Sequence, residues 1–541
     1  MSEVTKTSRS LAGIAGIVAV ATLISKIFGL VRQQAIAAAF GVGPAFDAYN
    51  YAYVIPGFLL ILLGGINGPF HSAIVSVLAK RKQEEAAPLV ETITTIVSSA
   101  LLIVTIALII FAESLTELVA PGLAKTSEGQ TIRAIAIEQF RIMAPMAILA
   151  GLIGIGFGTL NAADQYWLPS ISPLFSSVAV IGGIGILALQ LGPKIIEPEY
   201  ARIGGLVLAW GTLAGAILQW LVQLVAQWRA GMGTLRLRFE FNRPGVRDVL
   251  KILAPATFSS GMMQINVYTD LWFASFIPQA ASALGYAGLL VQTPLGILSN
   301  VLLVPLLPVF SRLAEPQYWS ELKGKIRQGL MITAVAMLPL SALIMSLAVP
   351  IVRVIYERGA FNSQASNFVA PVLMAYAFGM FVYLGRDVLV RVFYALGDGE
   401  TPFRVSVFNI FLNALLDYLM VNAFGAPGLV LATVGVNISS MVMLLVLLDR
   451  KLNGLPWLEW LFPFASLSAG SVVAGLACWG TFWSTERLLG SEGLLVLLLQ
   501  LAIASLVGLG VFAALATQLK LAEVDIFVAR LRQKFLRKKA S

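Results

Sequence analysis

The chain has 541 residues, 58% of them apolar and only 12% charged, with a mean hydropathy of +0.85 and a formal net charge of +9. Soluble domains carry about 25% charged residues, so a water-soluble globular fold is excluded and a polytopic membrane protein is expected. One cysteine (Cys478) and one histidine (His71) exclude an intrachain disulfide framework and a Cys-based metal cluster, and argue against zinc.

Leu11–Ser25, behind Lys6 and Arg9, runs on into Lys26-Ile27-Phe28-Gly29-Leu30-Val31-Arg32 without a small-residue cleavage pattern, so it reads as a retained first span. Charge-free runs follow at Thr92–Ala112, Gln328–Val352, Gly359–Gly385, Leu461–Thr485 and Gly493–Leu519. Each exceeds the ~20 residues that cross a bilayer core as a helix. Apolar blocks set against Pro, Gly and charge punctuation predict helices over 11–39, 46–79, 87–112, 131–160, 169–190, 203–228, 246–276, 283–311, 324–349, 365–396, 402–422, 428–449, 458–485 and 493–519. The expected fold class is an all-α membrane protein of about fourteen transmembrane helices.

Basic residues alternate between two sides. The side holding the N-terminus, Lys80–Lys82, Arg229–Lys251, Arg312–Arg327, Arg404, Arg450–Lys451 and the tail from Lys520 carries 25 of the 37; the opposite side carries 7. The positive-inside rule then puts both termini in the cytoplasm. This placement accounts for the net charge without nucleic acid. The tail, 520–541, spaces Ile526, Phe527, Leu531 and Phe535 among six basic residues. It reads either as an amphipathic helix on an anionic leaflet or as a solvated basic tail.

An internal repeat is visible. Gly205-Leu206-Val207-Leu208-Ala209 recurs as Gly428-Leu429-Val430-Leu431-Ala432, and the Asp164/Pro169 turn has a counterpart in Gly397-Asp398-Gly399-Glu400-Thr401-Pro402. Pro56 answers to Pro294, and Leu78-Ala79-Lys80 to Phe310-Ser311-Arg312. The offset corresponds to six helices, so two parallel six-helix lobes are expected at 1–230 and 231–452. Two extra helices follow over 453–519, then the tail. Transporters with parallel repeats hold substrate between lobes and alternate access by rocking them.

Charged groups within spans need a reason. Lys26 and Arg32 flank Gly29 in the first span, and Asp47 opens the second. They read as a cationic cavity for an anionic substrate, with Asp47 as partner or gate, or else as a structural Arg32–Asp47 pair. Glu138 and Arg141, three apart, are expected to pair on one helix face. Arg386, Asp387 and Arg391 leave one positive charge over, lining a cavity or packing near a helix end. His71 reads as a helix-interface or cavity residue. Asp270, Asn413, Asp417 and Thr433 offer oxygen ligands, Asn413 and Asp417 one helical turn apart. They form a candidate Na⁺ site, unless neighbouring amides or a proton satisfy Asp417.

These residues also carry a family likeness. Ser25-Lys26-Ile27-Phe28-Gly29-Leu30-Val31-Arg32, Phe40-Gly41-Val42-Gly43-Pro44 with Asp47-Ala48, and Arg141-Ile142-Met143-Ala144-Pro145 resemble the MurJ (MviN) lipid II flippases. So do Leu160-Asn161-Ala162, Leu208-Ala209-Trp210-Gly211, Pro294-Leu295-Gly296, Glu357-Arg358-Gly359-Ala360-Phe361, and Phe393-Tyr394-Ala395-Leu396-Gly397-Asp398 with Thr401-Pro402. The matches are collinear from about residue 10 to 450. The resemblance implies membership of the multidrug/oligosaccharidyl-lipid/polysaccharide exporter superfamily. It also implies transport, not enzymatic catalysis: lipid II, the undecaprenyl-diphosphate-linked peptidoglycan precursor, would move from the cytoplasmic to the periplasmic leaflet of the bacterial inner membrane.

It implies substrate contacts at Lys26, Arg32 and Asp47, with Arg386, Arg391, His71 and Asn67 as candidates to make up for family cations that are missing, and a sodium site of Asp270, Asn413, Asp417, Thr433 and the Leu429 carbonyl. No cofactor is required beyond possible Na⁺. The expected partners are the lipid-linked precursor, membrane lipids and cell-wall synthesis proteins, and the expected state is a monomer. Lys26 stands where the family has arginine, Leu60 replaces a family arginine, Gly65 an acidic residue, and Ala287-Gly288-Leu289 replaces Ala-Asp-Arg. Another polyprenyl-linked saccharide or amphiphile, exported against Na⁺ or H⁺, is the alternative cargo. A membrane enzyme on polyprenyl phosphate is disfavoured by short basic loops without an Asp-x-Asp pair.

Overall fold

A span in lipid must satisfy its backbone N–H and C=O groups internally, which leaves the helix as the open choice for long uncharged runs. The computed structural model describes residues 11–518 except 66–68, 79–82, 243–244, 252, 254–256, 258–264, 304–305 and 491–492; it is all helical there, with no strands among the described residues. The tail 520–541, Lys80–Lys82 and Asn67 lie outside the described residues.

Packing divides the chain into two units, Met1–Ser282 with Arg358–Phe361, and Ala283–Glu357 with Asn362–Ser541. The expected boundary after residue 230 follows the repeat, whereas this division follows contacts. The first ten helices are α1 Leu11–Phe40, α2 Pro44–Gly64, α3 Pro69–Leu78, α4 Gln83–Ile110, α5 Ala112–Val119, α6 Ser127–Met143, α7 Met146–Ala162, α8 Trp167–Ile171, α9 Pro173–Leu191 and α10 Ala201–Arg229. Then come α11 Ile265–Ala274, α12 Ala280–Leu302, α13 Leu306–Arg312, α14 Trp319–Ser346, α15 Ala348–Tyr356, α16 Ser363–Phe378, α17 Met380–Ala395, α18 Glu400–Phe424, α19 Ala426–Lys451, α20 Trp457–Leu489 and α21 Leu494–Gln518.

Twelve helices among the described residues are long and apolar enough to cross a membrane, thirteen if one bent pair counts as a span. The expected count of fourteen differs mainly at 246–276, much of which falls outside the described residues. The bent pair is α6 and α7, expected as one helix over 131–160 and turned by 42° at Ala144-Pro145. Pro145 has no N–H to donate, and its ring opposes the carbonyl four residues back, so the helix restarts there. The expected helix 46–79 likewise divides, with α2 ending at Gly65 in an extended conformation.

In the first unit, Tyr51, Phe140, Met143, Met146 and Phe157 form a buried core shared by α2, α6 and α7. A second cluster joins α3, α4 and α7 through Phe70, Ile74, Leu89 and Ile93. Outward faces are apolar too: Leu189, Leu458 and Leu495 are 89%, 86% and 81% exposed. Water penalises such surface and acyl chains accept it, so these faces are lipid-facing.

The repeat extends beyond the sequence landmarks. Thr126 accepts from the N–H of Gly129 to cap α6, and Asn362 accepts from Ala365 to cap α16. Gly192 closes α9 at φ 56°, ψ −135°, and Gly425 closes α18 at φ 63°, ψ −138°. Short helices α5 and α15 precede the two caps in the same order.

Candidate functional site

Arg32 lies on α1, half-buried, and its Nε is buried without a hydrogen-bond partner among the described residues. Near it on α2 are Tyr49 and Tyr53, one turn apart, whose hydroxyls lie within the field of the guanidinium. Their rings stack at 5.3 Å, and Phe46 extends the stack at 6.1 Å. Thr212 on α10 gives its hydroxyl hydrogen to Leu208 O at 2.7 Å. The 3.0 Å contact between Tyr49 and Thr212 is therefore donated by tyrosine. Lys26 is half-buried, about a turn and a half earlier on α1. The sequence reading missed the two tyrosines and Thr212; the available signal was the four-residue tyrosine spacing in a span beginning with Asp47.

Asp47 is 2% exposed and does not pair with Arg32 among the described residues, which corrects the ion-pair expectation. Its Oδ1 instead accepts from both N and Oγ of Ser282 at 2.8 Å, and the Gln279 backbone donates as well. Ser282 is the third residue of α12, whose first-turn N–H groups have no partner within the helix. The carboxylate therefore caps that terminus, where the helix dipole favours negative charge. A shorter local donor set wins over a longer arginine reach.

The expected Glu138–Arg141 pair also fails. Glu138 takes Arg202 of α10 in a two-point contact at 2.7 and 3.0 Å, while Arg141 is exposed. The fork geometry of guanidinium on carboxylate favours this over a single i,i+3 contact. His71 Nε2 and Asn161 Nδ2 meet at 2.8 Å, joining α3 to α7, so the histidine is a helix-interface residue. Leu60, where the resemblance implies an arginine, packs against both hydrophobic clusters of the first unit.

In the second unit, both arginines of α17 have local partners. Arg386 donates from Nε to Ser440 Oγ at 3.0 Å and lies 3.6 Å from Asp387. Arg391 donates from Nη1 to Leu303 O at 3.0 Å, just past the end of α12. A cation there meets the negative end of the helix dipole. Asn413 and Asp417 on α18 are fully buried and joined by a 2.8 Å bond from Nδ2 to Oδ2. Leu429, buried, and Thr433, half-buried, stand one turn apart on α19, which packs along α18. Asp270 is half-buried on α11 of the first unit. Among the described residues no three His, Cys, Asp or Glu side chains gather as a metal site; amide, hydroxyl and carbonyl oxygens are a different donor set.

Two family-like motifs prove structural. Asp398 accepts from Thr401 N and Oγ1 at 3.0 and 2.8 Å, capping α18, and from Lys451 Nζ at 2.6 Å. Burial alone pushes this carboxyl up; the Lys451 ammonium and the Thr401 donors overcome it and bring it down to about 2. Gly359 (φ +57°) lies against α1, where a Cβ would stand 2.3 Å from Ala38 O, and Ala360 N donates to that same carbonyl at 2.8 Å.

A group the sequence reading passed over is Glu91 of α4. It is 4% exposed and accepts from Thr234 N, Thr234 Oγ1 and Arg238 Nε at 3.0, 2.9 and 2.6 Å. One turn on, Thr95 Oγ1 accepts from Arg238 N at 3.1 Å.

The family model described as "Lipid II flippase MurJ" matches residues 36–513. A Synechocystis protein named "Probable lipid II flippase MurJ" is 59% identical over 99% of this chain and 100% of its own length. The Burkholderia cenocepacia "Lipid II flippase MurJ" is 30% identical over 85% of this chain and 88% of its own. A solved structure titled "Lipid II flippase MurJ, inward closed conformation" superposes with a TM-score of 0.74 at 22% identity, covering 93% of this chain and 99% of that one. A multidrug resistance MATE family transporter of the MOP superfamily gives 0.57 at 17% identity, over 81% and 97%. The two structures share the fold; the full-length sequence matches go further, and they make this chain a member of the MurJ lipid II flippase family.

Proposed function

We propose that this protein is a flippase that carries lipid II from the cytoplasmic to the periplasmic leaflet by alternating access, performing no bond chemistry. The observation that carries the site is Arg32: a half-buried guanidinium in the first span with an unsatisfied Nε, near two tyrosine hydroxyls. A charge there is costly unless an anion completes it. The planar fork and the Tyr53 phenol, with the Tyr49 hydroxyl held by Thr212 beside it, suit the diphosphate of a polyprenyl carrier, with Lys26 adding a second cation. Asp47 would steady the helix start at Ser282 while the anion enters. Arg386 and Arg391, each held by local partners, would be the substrate contacts of the second unit.

Asn413 and Asp417 with Leu429 and Thr433 would hold Na⁺ within the second unit. Their mutual hydrogen bond uses the Asn413 amide nitrogen, the one polar atom of the pair of no use to a cation, which fits that donor set. A bound Na⁺ would supply coupling to an ion gradient. Both termini would be cytoplasmic, from the 25-to-7 bias of basic residues, and the protein would act as a monomer beside the cell-wall synthesis machinery. Half-buried Leu60, packed against both apolar clusters where the resemblance implies an arginine, favours a second reading with another polyprenyl-linked saccharide as cargo.

Complementation of bacteria depleted of their own lipid II flippase tests both. Rescue by wild type, with loss on Arg32→Ala at equal membrane levels, supports lipid II transport through this site. Loss on Asp417→Ala that tracks external Na⁺ supports coupling. Absence of rescue by well-inserted wild type overturns lipid II as cargo and leaves the second reading.

A further inference from the structure

The connection after α10 does something the transport reading does not require. The chain leaves Arg229, turns back through Gly231 and Gly233, and runs beside α4. Gly233 has φ +108°, and a Cβ there would lie 3.1 Å from Ala87 O, so the reversal needs glycine. From Thr234 the residues alternate: Thr234, Arg236, Arg238 and Glu240 are polar, while Leu235, Leu237, Phe239 and Phe241 are apolar.

The apolar set is 55%, 78%, 61% and 61% exposed. Phe239 and Phe241, two apart, have ring centroids 6.3 Å apart, as in extended chain with alternate residues on one side. The polar side is pinned: Thr234 and Arg238 to Glu91, and Arg238 N to Thr95.

Depth follows from α4. Its uncharged run begins at Thr92, so Glu91 and, one turn on, Thr95 place the strip at the boundary between headgroups and hydrocarbon. The strip 234–241 thus descends beside a spanning helix with its apolar face outward and two of its N–H groups satisfied by α4 side chains. Exposed basic groups lie within it and flank it in sequence at Arg229, Arg236, Arg247 and Lys251. Six basic and two acidic residues occupy 229–251.

The geometry points to residues 234–241 as an interfacial lipid-docking strip. Leu235, Leu237, Phe239 and Phe241 enter the acyl boundary of one leaflet, and these basic residues meet anionic phospholipid headgroups. Glu91 keeps the polar side of the strip out of that contact. The inference rests on the chain being a membrane protein and is independent of the cargo.

The test places a nitroxide at Arg236→Cys, Leu237→Cys, Phe239→Cys or Glu240→Cys, one at a time, in full-length protein in vesicles of phosphatidylethanolamine and phosphatidylglycerol. Cys478 is buried, and the unmutated chain serves as the labelling control. At 237 and 239, collisions with oxygen should exceed those with a water-soluble nickel chelate several-fold, with the ratio reversed at 236 and 240. Equal, water-like values at all four positions overturn the proposal. Protection from both reagents at 237 and 239 overturns it as well, since a protein surface would then cover the strip. Exchange of phosphatidylglycerol for phosphatidylcholine should lower the oxygen preference; an unchanged preference overturns the headgroup contribution.

Discussion

Glu91→Ala removes three acceptor contacts at once, and its cost can be worked from the geometry. Hydrogen bonds to a charged group contribute ~1.5–3 kcal/mol each, so simple addition would give ~4–9 kcal/mol. Addition overstates the loss because the contacts share one carboxylate. Arg238, with its side chain 30% exposed, regains water when released, and Thr234 is only half-buried. The irreducible part is the Thr234 N–H left without its acceptor, about 1–3 kcal/mol. If that energy holds the strip on α4, amide exchange over 231–242 should speed by roughly 5- to 140-fold, at ~1.4 kcal/mol per tenfold. Exchange mass spectrometry on protein in nanodiscs reads this directly. Glu91→Gln keeps an acceptor for Thr234 and should lose about 1 kcal/mol, near fivefold. An unchanged rate in 231–242 for Glu91→Ala would refute the reasoning. So would an equal rise across α4, α6 and α10, because the carboxylate would then hold the whole unit.

Three other outcomes are expected. The folded-state carboxyl of Asp398 sits near 2, below the ordinary carboxylate range, so its stabilisation is present above that range and lost as pH falls toward 2; Lys451→Gln should flatten the acid limb of the thermal midpoint between pH 5 and pH 2, and an unaltered limb counts against the pair. Glu138→Gln should change the melting temperature little, since the pair with Arg202 has 66% and 35% exposed side chains and water screens such contacts; a large drop in a melt would contradict this. Gly359→Ala meets Ala38 O and holds alanine at φ +57°, a strain of about 1–3 kcal/mol, so weaker complementation and a lower melting temperature than for Ala360→Gly are expected.

Spans were legible because the bilayer imposes one rule on many residues in succession, and a charge-free run as long as Thr92–Ala112 suits little besides a membrane crossing. The bend at Pro145 and the break after Gly64 were hidden by the same uniformity, since apolar composition continues straight across both. Charged side chains were legible as exceptions, but their partners were not. Asp47 turned to Ser282, 235 positions away in sequence, and Glu138 to Arg202 on another helix, contacts no local spacing announces. Glu91 escaped notice because it sits at the start of a span among other charges, where a carboxylate reads as solvated. Tyr49 and Tyr53 looked like ordinary span aromatics until Arg32 was seen to lie near them.

The single-residue link at Gly425 bears on how the protein is made. With φ at +63° and ψ at −138°, and nothing within 4 Å of an added Cβ, the site demands glycine for backbone reasons alone. Because a single residue separates α18 from α19, insertion of the two as one closed hairpin is the expected route, with their register fixed by the link itself. Asn413, Asp417, Leu429 and Thr433 all ride on that hairpin. A bulky residue at 425 would therefore register first as a loss of correctly inserted protein, with the molecules that do mature transporting at close to the normal rate.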